Sequence, residues 1–219
     1  MVRRPAQGRT MTGLLHLVRH GQTTANVARI LDTRPPGAPL TPEGAEQARR
    51  YGVERPDAAP AVLLSSVARR AQQTAGHIAE AWGVETTAID GVHEVQAGDL
   101  EGFHDEESIK VFQDVVRRWY SGEATAAMPG GESAEDLLAR YLPAVDAIRT
   151  EHLPRGDAYL VSHGAAIRLV GFHLSGVDGA YAHKHHLPNT GEIVLRPVDG
   201  GRWELVSWAD APSHLDPMG

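Results

Sequence analysis

Short apolar runs alternate with amphipathic helical patterns along this chain of 219 residues, and this alternation restricts the fold more than any other feature. Strand-like runs lie at residues 14–18, 61–64, 86–89, 158–161, 192–196 and 202–208. Most of the segments between them place apolar residues on one face of a helix. Strands that alternate with helices form layered structures, so the sequence predicts an α/β fold with a largely parallel sheet.

Local signals mark where several helices begin and end. Thr41, followed by a proline, is typical of an N-cap. Ser133 and Asp136 predict a capping box at the start of another helix, and Gly83 predicts the end of a third. Pro143 lies inside the helix that Ser133 begins, and we expect a kink there.

The composition excludes several classes of protein. The sequence has 21 Lys and Arg residues against 28 Asp and Glu, a formal net charge of −7, so the basic surface of a nucleic-acid-binding protein is missing. It has no cysteine, which excludes disulfide bonds, thiolate metal sites and a cysteine nucleophile. Nucleophilic chemistry is therefore left to His, Ser, Asp or Lys.

The N-terminal segment predicts neither a secretion signal nor a membrane anchor. Residues 1–11 are basic, and the apolar run at 14–18 is interrupted by His16 and is too short for either function. We expect a flexible leader over 1–11, a single domain over 12–219, a cytoplasmic location and no membrane partner.

Cationic and imidazole side chains follow three of the predicted strands. These strand ends carry Arg19-His20-Gly21, Ser65-Ser66 with Arg69-Arg70 shortly after, and Ser162-His163-Gly164. In open α/β sheets, ligands bind beyond the carboxyl ends of the strands. The glycines after the two histidines would let backbone amides approach an anion closely. The pattern therefore predicts a local anion-binding pocket on a protein whose net charge is negative.

Six short motifs follow one another between about residues 14 and 195. They are Leu17–Thr23 with Asn26; Pro39-Leu40-Thr41 with Gly44 and Gln47-Ala48; Ser65-Ser66 with Arg70-Ala71 and Gln73-Thr74-Ala75; Glu94 with Gly98 and Glu101-Gly102; Pro129–Ser133; and Val161–Gly164. This series resembles the histidine phosphatase superfamily, the phosphoglycerate mutase-like proteins. The resemblance implies a three-layer α/β/α sandwich with a mostly parallel central sheet.

The resemblance also implies roles for individual residues. His20 would be the nucleophile that forms a phosphohistidine, and Arg19 and Arg70 would clamp the phosphoryl oxygens. His163 would donate to the same oxygens, and Glu94 would be the general acid and then the base. The arginines should lower the pKa of Glu94, so we expect an incoming phosphate dianion to offset them. Further phosphate or substrate contacts are expected from Gly21, Gln22, Thr23, Asn26 and Gly164.

Three alternatives compete with these assignments. Arg69 could replace Arg70 as the second clamp, although the spacing from the Ser65-Ser66 pair favours Arg70. Asp99 or Glu101 could replace Glu94 as the acid. His183, His185 and His186 could form a metal site, but a solvated loop is commoner and we expect no metal or other cofactor.

Two departures from the family pattern bear on the reaction. The loop between Arg29 and Pro39 lacks the usual glutamine-glycine pair and the aspartate before Pro-Leu, and the paired-arginine insertion typical of true phosphoglycerate mutases is absent. We therefore expect a metal-independent phosphatase that acts on a small phosphorylated metabolite. The alternatives are a mutase and a catalytically idle module that binds phosphorylated ligands.

Overall fold

Six strands form one sheet in the order β3-β2-β4-β1-β5-β6 in the computed structural model, which describes residues 13–209. The predicted leader at 1–11 lies outside these residues. The strands are β1 (Leu15–Arg19), β2 (Val62–Ser66), β3 (Thr87–Ile89), β4 (Ala158–Ser162), β5 (Glu192–Pro197) and β6 (Trp203–Trp208). The first four run parallel, whereas β5 and β6 are antiparallel additions at one edge. The prediction of a mostly parallel sheet is confirmed.

Helices connect the strands, and their ends follow the capping signals. They are α1 (Thr24–Ala28), α2 (Pro42–Val53), α3 (Arg69–Trp82), α4 (Glu106–Tyr120), α5 (Ala134–Glu151), α6 (Gly164–Ser175) and α7 (Gly179–Lys184). Thr41 caps α2, the Ser133 capping box opens α5, and Gly83 ends α3 at a φ of 66°. The α5 helix runs on through Pro143. In the part of the chain described, no helix has the length and apolarity needed to cross a membrane.

Helices cover both faces of the sheet. On one face, Leu63 and Val161 pack against Ala75 and Ile78 of α3, with Tyr51 of α2 beside them. On the other face, apolar side chains of the strands pack against those of α4, α5 and α6. The strands contribute Leu17, Leu64 and Leu160, and the helices contribute Phe112, Leu137 and Ile167. Successive side chains of a strand point to opposite faces, so apolar residues at neighbouring positions fill both cores. The three-layer α/β/α prediction is confirmed.

The register of the central strands brings three strand ends together. Arg19 at the end of β1 pairs with Ser162 at the end of β4, and Val161 of β4 pairs with Ser65 of β2. The backbone N–H of His20 donates to the carbonyl oxygen of Ser162 over 3.0 Å. The residues that follow these strands therefore meet at one edge of the sheet.

Candidate active site

His20 is held as a neutral imidazole with one free nitrogen. It is buried, and its Nδ1 lies 2.8 Å from the carbonyl oxygen of Gly21. A carbonyl accepts only, so Nδ1 carries the proton and Nε2 keeps its lone pair. Burial first, and then the charges of Arg70 and Arg19, hold the pKa of His20 well below its usual range. His20 can therefore act as a nucleophile at neutral pH.

Two buried arginines line the pocket beside His20. Arg19 donates from Nη1 to the carbonyl oxygen of Leu187 over 2.6 Å. Arg70 donates from Nε to Nδ1 of His163 over 3.2 Å, so its fork is fixed by a neighbouring ring. Arg69, the alternative clamp, is exposed at the start of α3. The structure thus places Arg70, and not Arg69, at the pocket.

His163 lies directly behind this arginine. It is fully buried, and its ring centroid lies 5.3 Å from that of His20. Because Nδ1 accepts from Arg70, Nε2 carries the proton and donates to Oγ of Ser66 over 2.9 Å. Burial and then Arg70 hold the pKa of His163 well below its usual range. A bound phosphoryl group would have to compete with Ser66 for this proton.

Glu94 supplies a buried carboxyl group to the same pocket. Its Oε1 accepts from the backbone N–H groups of Val95 at 2.8 Å and Ala166 at 2.9 Å, and Oε2 accepts from that of Ala165 at 3.1 Å. Burial raises the pKa of Glu94 and outweighs these hydrogen bonds and the charge of Arg70, which lower it. The expectation that the arginines would dominate was wrong, because desolvation is the larger effect.

The two competing carboxylates lie elsewhere. Asp99 is exposed. Glu101 accepts from the backbone N–H groups of Thr33 at 2.8 Å and Arg34 at 3.2 Å, so it anchors a loop. Of the predicted acid candidates, Glu94 is the one that lines the pocket.

The smaller predicted contacts divide into two groups. Thr23, Asn26 and Gly164 line the pocket, whereas Gly21 and Gln22 are outside its lining. Thr23 and Asn26 form a reciprocal capping box at the start of α1, a short helix that the sequence pattern did not predict. That box turns the chain after His20 so that both side chains reach the pocket.

Gly21 and Gln22 support the turn behind the nucleophile. The N–H of Gly21 donates to Oγ1 of Thr74 over 3.0 Å, and a Cβ at Gly21 would lie 2.4 Å from the carbonyl oxygen of Gly44. The N–H of Gln22 donates to Oε1 of Gln47 over 2.9 Å. The glycine is therefore required by close backbone packing, and its amide is directed away from the pocket.

Asp32, Ile30 and Ala25 also line the pocket, and sequence reasoning did not assign them to it. Asp32 belongs to the loop that departs from the family pattern. The sequence signal that could have found Asp32 was its position as an acidic residue between the His20 motif and the Pro-Leu-Thr motif. Its side chain approaches Arg70, with Oδ2 at 3.3 Å from Nη1.

His183 in the last turn of α7, and His185 and His186 just after it, have other partners. His186 Nδ1 lies 3.1 Å from Nη1 of the buried Arg168, and the ring of His185 stacks on Tyr181 with centroids 4.0 Å apart. The carbonyl oxygen of His183 accepts from Nη2 of Arg168. Within residues 13–209, no group of three or more His, Asp or Glu side chains is arranged to hold a metal ion.

Comparisons with known proteins agree with this geometry. Residues 15–211 match the model of the histidine phosphatase superfamily, branch 1. A mycobacterial glucosyl-3-phosphoglycerate phosphatase of known structure is 26% identical, with a TM-score of 0.76, and the match covers 91% of this chain and 99% of that one. A protein of Escherichia coli named "Probable phosphoglycerate mutase" is 30% identical over 92% of this chain and 94% of its own length.

A family match over most of the chain and a shared fold lead to one conclusion. The chain belongs to the histidine phosphatase superfamily.

Proposed function

We propose that this protein is a metal-independent phosphatase that hydrolyses small phosphomonoesters through a phosphohistidine on His20. The observation that carries the proposal is the state of His20, which is buried and neutral, with Nε2 free beside two arginines and a buried acid. The phosphatase name of the mycobacterial relative supports this reaction.

In the first step, Nε2 of His20 attacks phosphorus while the bond to the ester oxygen breaks. Glu94 gives its proton to the leaving oxygen, and its raised pKa favours the protonated form that this task requires. Arg19 and Arg70 stabilise the charge on the equatorial oxygens with fixed donors, the work that divalent metals do in many other phosphoryl-transfer enzymes. The products are the free alcohol and phosphohistidine.

In the second step, water attacks phosphohistidine. Glu94, now a carboxylate, takes a proton from this water, and the bond between phosphorus and Nε2 breaks. Inorganic phosphate leaves, and Glu94 and His20 return to their starting states. The substrate of such a cycle is a small phosphorylated metabolite, and we place the enzyme, as one domain over 12–219, in the cytoplasm.

A mutase is the second candidate, and the name of the relative in Escherichia coli favours it. It would keep the phosphoryl group on His20 and return it to a second hydroxyl. The missing paired-arginine insertion favours hydrolysis. An idle binding module would not need a buried acid with a raised pKa beside a neutral nucleophile.

Trapping of the intermediate tests the proposal. After an alkaline quench of a reaction with a phosphate-labelled ester, about one label per chain should be found on His20. His20→Ala should lose both labelling and release of inorganic phosphate, whereas His104→Gln, at an exposed position, should keep both. Label on a different residue would refute the mechanism, and label returned to a second hydroxyl would identify a mutase.

The same assay tests the absence of a metal requirement. Because fixed arginines stabilise the phosphoryl charge, activity should survive exhaustive treatment with a chelator. Activity that is lost to the chelator and restored by one divalent metal would contradict the metal-independent reaction.

A further inference from the structure

Asp32 places a carboxylate inside the pocket that receives the phosphate. Its Oδ2 accepts from the backbone N–H of Ala38 at 2.7 Å and lies 3.3 Å from Nη1 of Arg70. The side chain is 21% exposed, whereas that of Arg70 is 3% exposed. Asp32 therefore lies between the buried clamp and the open side of the pocket, where the leaving group of an ester must sit.

The surrounding loop fixes this carboxylate in place. Thr33, the next residue, donates its N–H to Glu101, and its Oγ1 accepts from the N–H of Ala97 at 3.1 Å. Gly37 packs so tightly over the arginine that a Cβ there would lie 2.3 Å from Nη1 of Arg70. Contacts on both sides hold the loop, so Asp32 cannot easily move away from a bound substrate.

The charges of the pocket are already matched by a phosphate. Among the described residues that line it, the cationic side chains are Arg19 and Arg70, and a phosphate dianion needs both. Asp32 adds a further negative charge, so with a phosphate dianion bound the negative charge already exceeds that of the two arginines. The remaining lining residues outside His20 and Glu94 are uncharged, namely Thr23, Ala25, Asn26, Ile30 and Gly164. A second anionic group on the leaving group would find no unshared cation there.

The neighbouring loop arginine does not change this balance. Arg34 is exposed and outside the pocket lining, and its Nη2 is directed at the carbonyl oxygen of Gly98 over 3.5 Å. A carboxylate close to the phosphate would therefore meet Asp32 before it met this arginine.

Building on the proposed phosphatase activity, we propose that Asp32 is a specificity-determining residue. It selects phosphate esters of neutral, hydroxyl-bearing alcohols, such as phosphorylated polyols or sugars, over esters whose leaving group carries a carboxylate near the phosphate. The Asp32 carboxylate accepts a hydrogen bond from a leaving-group hydroxyl and repels a leaving-group carboxylate. For two negative charges about 7 Å apart at an effective dielectric constant of about 20, this repulsion corresponds to discrimination of more than 10-fold.

A pair of ligands with the same carbon skeleton tests this directly. Glycerol 3-phosphate and 3-phosphoglycerate differ by a hydroxymethyl group against a carboxylate. Each is measured as a competitor of aryl phosphate hydrolysis, which gives an inhibition constant whether or not the competitor is turned over. We expect the wild type to bind glycerol 3-phosphate at least about 10-fold more tightly, and Asp32→Asn to reduce this ratio several-fold.

Asp99→Asn is the matched control, since Asp99 is an exposed carboxylate outside the pocket, and its ratio should equal that of the wild type. The two inhibition constants of each ratio are measured on the same variant, so a change in the position of Arg70 affects both and cancels. A wild-type ratio near or below one, no competition by glycerol 3-phosphate, or an unchanged ratio in Asp32→Asn would overturn the inference while phosphatase activity stands. A wild type that does not hydrolyse aryl phosphate would overturn the proposed function and this inference with it.

Discussion

Burial favours the neutral forms of both His20 and Glu94, so it shifts their pKa values in opposite directions. For a histidine, burial disfavours the cation and lowers the pKa, so His20 stays neutral. For a glutamate, burial disfavours the anion and raises the pKa, so Glu94 retains its proton at a higher pH than an exposed carboxyl. One buried pocket thus favours the two neutral forms that the proposed phosphorylation of His20 requires together.

These shifts predict the pH dependence of the phosphorylation step. Activity on an alkyl phosphate should fall on the alkaline side as Glu94 loses its proton, and on the acid side only well below pH 6.5, the ordinary pKa of His20. Glu94→Gln should remove the alkaline limb and cost on the order of 10²-fold in the pre-steady-state burst. The substrate ionises in the same way with the wild type and with Glu94→Gln, so its ionisation cancels in the ratio of their burst rates.

An aryl phosphate provides the control for this prediction, because a phenolate leaves without a proton. Glu94→Gln should then lose little of its burst rate. An equal loss with both esters would show that Glu94 acts through binding or its field, and not as an acid.

At the scale of elements, the segment that carries Glu94 is held by one side chain of α5. Arg140 donates to the carbonyl oxygens of Gly91 at 2.8 Å, His93 at 2.9 Å and Glu94 at 2.8 Å. Its Nε and Nη2 also form a two-pronged ion pair with Glu132, at 2.7 and 2.8 Å. Arg140 is therefore a positioning residue for the acid, because it fixes the backbone that carries it.

Arg140→Lys should lower activity through Glu94, since an ammonium group cannot reproduce the planar fork. We expect about a 10-fold loss with an alkyl phosphate and a smaller loss with an aryl phosphate, measured as burst rates. Arg117→Lys, in the exposed pair with Asp114 on α4, should change neither rate. Equal losses with the two esters would assign Arg140 a general structural role.

Local signals account for what the sequence could predict at this scale. Caps such as Thr41 and Ser133 act within four residues, so they predicted where helices begin. The motifs predicted His20 and Glu94 as site residues, and both line the pocket. The five-residue helix α1 is too short for a periodic pattern. The place of Asp32 depends on contacts with Arg70, 38 positions away in the chain, which no local pattern contains.

At the scale of the whole molecule, a partly buried network on the Tyr159 side of the sheet joins β1 and β5 to Tyr51 of α2 and to Arg55, just after that helix. Glu192 of β5 accepts from the Tyr51 hydroxyl at 2.6 Å and from Arg55 Nη2 at 3.0 Å, and it lies 3.0 Å from His16 Nδ1. The ring of His16 stacks on Tyr159 of β4. Burial raises the pKa of Glu192, but the bonds from His16 and Tyr51 and the charge of Arg55 outweigh it and lower the pKa to about 2.

The Glu192 carboxylate should make the free energy of unfolding depend on pH in the acid range. A pKa lowered from 4.5 to about 2 adds stability that is fully present above pH 4.5 and is lost as the pH falls towards 2, and this contribution is worth as much as about 3 kcal/mol. Glu192→Gln should therefore lower the free energy of unfolding at pH 7, measured by urea denaturation, and the difference from wild type should narrow between pH 4.5 and pH 3. Glu204→Gln, which removes an exposed pair with Arg196 on the neighbouring strand, should change stability by less than about 1 kcal/mol at either pH. A deficit in Glu192→Gln that stays constant with pH would mean that Glu192 stabilises the sheet by packing, because a charge that titrates must lose its effect when it is protonated.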